Sequence, residues 1–147
     1  MRDMLNNKQV VHLGNLTLSG TTPAASAWVD VRDFDACTIM VVNNTITDAG
    51  TAAGFACTVQ HGDDSTAVGA AAIVAADSVD GDIAISVTSD GADNTVAGGI
   101  GYKGSKRYVR INAVGTTGTD ADVSIVATLN KPHRAATTFV GTSVAAT

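Results

Sequence analysis

Three groups of residues have the types from which a chemical site could be built. His61-Gly62-Asp63-Asp64 sets an imidazole beside two carboxylates, the combination a general acid/base site uses. Asp77-Ser78-Val79-Asp80-Gly81-Asp82, followed by Asp90-Gly91-Ala92-Asp93, offers the oxygen ligands that calcium takes. Lys106, Tyr108, Arg110 and Asn112 alternate with Arg107, Val109 and Ile111, which suits contact with a partner. The first two groups also have plainer readings. His61 to Asp64 follows a strand-like segment and reads as a polar turn. The aspartate clusters lack the bidentate glutamate that closes a calcium loop, since the chain has no Glu at all, and they read as Asp-Gly turns. Two cysteines (Cys37, Cys57) and three dispersed histidines (His12, His61, His133) do not have zinc spacing. There is no Gly-x-Ser-x-Gly elbow and no Gly-rich phosphate loop, and His-Glu-x-x-His is impossible without Glu. The chain is therefore expected not to be an enzyme, and to hold no metal, cofactor or small-molecule substrate.

The elements that must position these residues follow from composition. The chain has 147 residues, room for one domain, and contains 24 Ala, 19 Thr, 18 Val and 15 Gly against 5 Leu. Helix formers are scarce, whereas Val, Ile and Thr fit a pleated sheet and Gly, Asp and Asn mark its turns. The pattern predicts an all-β, single-domain antiparallel β-sandwich or jelly roll of about eight strands: Val10–Leu18, Ala27–Val31, Cys37–Val42, Phe55–His61, Ile83–Thr88, Val96–Tyr102, Arg107–Val114 and Val123–Leu129. Residues 1–9 form an N-terminal arm, 10–131 the sandwich, and 132–147 a tail or arm, with Pro132 ending the last strand. Val68–Ala76 is the segment that could close into a short helix. Cys37 and Cys57 lie on consecutive strands and could face each other across a hairpin, as buried thiols or as a disulfide. The tail is either free or an extended arm on a neighbouring subunit; in the second case Phe139 and Val140 supply its contacts. With an interior of Ala and Val the monomer gains little from burial, so self-association is expected.

Charge narrows the partners. The net formal charge of -5 argues against nucleic acid, whose phosphates require a basic surface. No apolar run approaches a membrane span, and residues 1–9 lack the apolar core of a secretory signal, so synthesis in a host cytoplasm without export is expected. Cations are absent from Asp33 to Tyr102, while six of the nine lie at or beyond Lys103. If Val109, Ile111 and Ala113 face the core, Lys106, Tyr108, Arg110 and Asn112 share the opposite face, as a docking stripe or as a solvated sheet face.

Three segments carry a family resemblance: the opening Met1-Arg2-Asp3-Met4-Leu5-Asn6-Asn7, the strand-turn Cys57-Thr58-Val59-Gln60-His61-Gly62-Asp63-Asp64-Ser65, and Gly101-Tyr102-Lys103-Gly104-Ser105-Lys106-Arg107-Tyr108-Val109-Arg110. In this order they resemble small structural proteins of tailed bacteriophages, usually encoded beside the major capsid protein. Gln60 and His61 stand where such proteins often carry Glu, and the Asp77–Asp93 insert is longer than usual. The resemblance implies a capsid decoration or cement protein at the virion surface, its partners the major capsid protein and itself, as a homotrimer at three-fold positions of the shell. The alternative is a tail, neck or fibre component with a carbohydrate- or receptor-binding β domain. Such a domain presents exposed aromatic platforms, whereas Trp28, in the alternating Ala27-Trp28-Val29-Asp30-Val31, is as readily placed in the core. The far-UV circular dichroism of the purified chain should be β-dominated, with no hydrolytic activity in ester and phosphoester assays. A mostly helical spectrum would sink the fold class.

Overall fold

The computed structural model describes residues 8–132, as ten strands and a single 3-10 turn at Ala75–Asp77. β1 is Lys8–Ser19, β2 Ala24–Ala25, β3 Val29–Asp30, β4 Phe34–Asp48 and β5 Phe55–Gly62; β6 is Ala71–Ala72, β7 Ala84–Val87, β8 Val96–Tyr102, β9 Tyr108–Val114 and β10 Asp120–Pro132. All pairings are antiparallel. Sheet A has the order β1-β10-β4-β8; in sheet B, β9 and β5 are central, with β2 and β3 pairing β9, and β6 and β7 pairing β5. The inner faces of the two sheets form one core, giving the expected all-β sandwich. Phe139 and Val140, with the rest of the proposed C-terminal arm and residues 1–7, lie outside the described residues.

Four expectations are corrected. Val68–Ala76 does not close into a helix, and only Ala75 and Ala76 enter the 3-10 turn: Ala71 and Ala72 pair with His61 and Gln60, and Ile73 is buried, so sheet pairing overrides alanine's helical preference. β4 continues to Asp48, past Asn43-Asn44-Thr45, which carry turn-forming side chains; the buried Asn43 amide donates to the Ala92 carbonyl and the Thr95 hydroxyl. Lys8 and Gln9 belong to β1, paired with Asn130 and Leu129, and Pro132 pairs with Phe34. Cys37 and Cys57 form no hairpin pair: β4 lies in sheet A and β5 in sheet B, and both thiols are free and buried. Burial pushes each thiol up to about 12.

The interior also differs from the small-residue core that composition suggests. Its largest fully buried side chains are Phe55, Leu18, Leu129, Ile and Val, while Ala contributes only Ala49, Ala113, Ala121 and Ala127. The other alanines among the described residues sit largely in loops and on outer faces, as at Ala52, Ala53, Ala67, Ala75 and Ala76. A core of branched aliphatics supports a monomer better than alanine would, so weak burial no longer argues for self-association.

Along β5 the inward positions Phe55, Cys57 and Val59 are fully buried, and the next inward position is His61. Its Nδ1 lies 3.1 Å from the hydroxyl of Tyr102, the last residue of β8 in the facing sheet, and the two rings meet edge to face. The same hydroxyl accepts the Lys106 amide at 3.0 Å and lies 3.3 Å from the Lys106 carbonyl. The chain after β8 thus wraps around the phenol ring, so closely that a Cβ on Gly104 would stand 2.6 Å from Tyr102. Gly-Tyr-Lys-Gly-Ser-Lys is in this sense a loop-building motif: glycine makes room for the ring, and the ring holds the loop.

Two measurements check this account. Tyr102→Phe, which leaves the His61 nitrogen and the Lys106 amide short of a partner, should cost about 1–2 kcal/mol in urea unfolding. Val109→Ala, a truncation in the fully buried centre of β9, should cost roughly 2 kcal/mol.

Candidate functional site

On β9, Val109, Ile111 and Ala113 are fully buried, so Tyr108, Arg110 and Asn112 project from the outer face of sheet B, where all three are half-buried. Pairing extends this face sideways: Arg110 is in register with Gln60, and Asn112 with Thr58 on one side and Ala25 on the other. Thr58 in turn faces Ala84, so the sheet beside the stripe is built of small uncharged residues.

The stripe's aromatic contacts differ from those its spacing suggests. Arg110 does not flank Tyr108; its guanidinium lies 4.5 Å from the centre of the Trp28 ring, and its Nε donates to Gln60 Oε1 at 2.9 Å. Tyr108 is instead covered by Arg107, at 4.7 Å. Trp28 is not a core residue: Val29 takes the inward position and Trp28 is half-buried on the outer side. Lys106 lies ahead of β9, in the loop held by Tyr102, and its Nζ binds Asp63 at 2.7 Å.

Electrostatically, Lys106 and Arg107 are each matched by a carboxylate, whereas Arg110 meets the neutral Gln60 and Trp28. Arg107 donates through Nε and Nη2 to Asp30 Oδ2, at 3.0 and 2.7 Å. That charged hydrogen bond is the main reason the Asp30 carboxyl is held below the usual carboxylate range, and Arg32 adds to the effect. The result is two guanidinium–aromatic stacks whose orientations are fixed by Gln60 and Asp30. Such cation–π contacts contribute about 0.5–1 kcal/mol where exposed. Sequence spacing could not reveal Trp28, Gln60 or Asp30 as parts of this surface, because they come from other strands.

Around the corner, Val31, Phe34, Ala36, Tyr102 and Arg107 help line a cleft of about 340 Å³. Of the four cations lining it, Arg32, Lys106 and Arg107 each approach an aspartate of the same chain.

The other two groups are dispersed. His61 turns inward to Tyr102, with its Nδ1 also 4.0 Å from Asp77 Oδ2 of the second group, whereas Asp63 turns to Lys106 and Asp64 to the Thr66 amide and hydroxyl. Asp90 and Asp93 accept the Ala49 and Ile46 amides and tie their loop to β4 and the turn after it, while Asp77 accepts the Val74 amide. Among the described residues no three His, Cys or Asp side chains gather into a metal cage.

No protein-family model matches the chain, and no curated protein is similar to it. Among solved structures it is similar to the PBSX exported protein XepA, with a TM-score of 0.53 and 11% identity, over 88% of this chain and 39% of that one. The chain thus spans about two fifths of the length of that neighbour, and at this identity the likeness is one of fold.

Proposed function

We propose that the chain is a virion structural protein that binds and stabilises the outside of a tailed-phage capsid shell, with the outer face of sheet B as its docking surface. The observation that carries this reading is Arg110 spread on Trp28 and fixed by Gln60. It makes a pre-ordered aromatic–guanidinium plate beside a sheet of small uncharged residues. Arg, Trp and Tyr dominate interface centres because they bury large area at little entropic cost when already ordered. The three-segment resemblance supplies the phage context, and the shared fold with a PBSX exported protein is in keeping with it. The major capsid protein is the partner, self-association as homotrimers is part of the proposal, and no catalytic step or cofactor is involved.

A second reading, a receptor- or carbohydrate-binding component of the tail, neck or fibre, gains from the position of Trp28 on an outer face. A sugar platform needs an open ring, however, and Arg110 already occupies this one.

The proposal is tested on particles stripped of the protein. Arg110→Ala should weaken rebinding about 30-fold, the equivalent of ~2 kcal/mol for an anchor at an interface centre. Its thermal melt should move little. Val109→Ala should do the reverse, lowering the melt while the folded fraction binds normally. Wild-type rebinding by Arg110→Ala would remove sheet B as the docking face. Quantitation in intact particles separates the two readings, since a decoration protein is present in hundreds of copies and a tail component in few.

A further inference from the structure

We propose that the outer face of sheet A is a contact between two copies of this chain, packed face to face with their strands antiparallel. The face is formed by the outward residues of four paired strands. From Ala36 to Thr47, β4 has no Asp, Lys or Arg, and the facing stretches of β1, β10 and β8 have none between Gln9 and Ser19, Val123 and Asn130, or Val96 and Tyr102. Register places Met40 between Val126 and Gly99, and Val42 between Ser124 and Val96. Val10 and Val96 at the flanks are 56% and 66% exposed. In a chain with 23 charged residues, a sheet face without charge across four strands stands apart.

Size and charge choose the occupant. At ~3.3 Å per residue and ~4.8 Å between strands the uncharged stretches, long on β1 and β4 and shorter on β10 and β8, cover on the order of 600 Å² a side. A stable interface needs about 800 Å² per partner, which the surrounding charged residues make up. Those residues are segregated. At one end Asp48 and Asp120 are direct cross-strand partners, with Asp122 two residues further on, and like charges so placed repel. At the other end Lys8 and Lys103 flank the row of Asn130 and Ala36, and Lys131 stands in the next row with Asp35, so this end carries three cations against one carboxylate. A two-fold axis perpendicular to the strands lays each acidic end on the basic end of the other copy, whereas an axis along the strands would set like on like. The face is therefore complementary to itself in one orientation. A face that meets its own copy closes two-fold, so this contact is separate from those within a trimer and does not depend on the docking of sheet B.

Sedimentation of the full chain at ~100 µM should show an even-numbered species, a dimer or paired trimers, that weakens as salt is raised. Met40→Lys and Val126→Lys, outward changes that should leave the thermal melt in place, should each weaken the pairing by about 100-fold or more, because a lysine at the centre would be buried against its own copy. Arg110→Ala should leave it unchanged. A monomer or trimer for the wild-type chain, pairing indifferent to both lysine variants, or pairing that strengthens with salt would overturn the proposal. None of these results would touch the particle-binding test of sheet B.

Discussion

Sheet A depends on β10 lying between β1 and β4. Those two strands are separated by the β2–β3 excursion into sheet B, and neither pairs with the other. Only the insertion of β10 joins them, through pairing that runs from Asp120 to Asn130 on the β1 side, with a shift at His12/Gly14, and from Asp120 to Pro132 on the β4 side, with shifts between Asp120 and Val123. The inward residues Val123, Ile125, Ala127 and Leu129 thereby become the floor of the core. A register slip of one residue would turn all of them outward, so the buried face and the pairing define each other. Late arrival of the central strand also makes most of the fold's contacts distant in sequence, which slows folding in sandwiches generally.

The sandwich is closed at one end by a polar device where an apolar plug would be usual. Tyr102 and His61 end the inward rows of β8 and β5, and their hydroxyl–imidazole contact spans the two sheets. Tyr102 also orders the loop that delivers Lys106, Arg107 and then β9, so the same ring that joins the sheets positions the charged end of the candidate docking surface. Desolvation, the largest influence on its phenol, raises it above the ordinary tyrosine value, so the hydroxyl stays protonated across the physiological range.

The strands were largely legible because alternation is a local signal. Ile83–Thr88 and Val123–Leu129 announce a buried face in their own spelling, and the phase of β9 follows from Val109, Ile111 and Ala113 in the same way. What escaped was set by distant partners. The polar Asn43 sits in the middle of a strand with its amide nitrogen donating to Ala92 and Thr95, and the alanines near residue 71 extend because β5 offers them an edge. The candidate surface was half legible: Tyr108, Arg110 and Asn112 could be put on one face, but the ring under Arg110 belongs to a segment eighty residues earlier. Composition misled about the core, since abundance of alanine in the chain says nothing of where the chain puts it.

The placement of Cys37 and Cys57 bears on where the protein can travel. Attack on a disulfide requires a thiolate, and a thiol pushed up to about 12 is almost wholly protonated near neutral pH. Both are sealed in the core, one in each sheet. The folded chain can therefore meet reducing or oxidising surroundings without exchanging its covalent bonds, and two such molecules at high local density would not cross-link through these thiols.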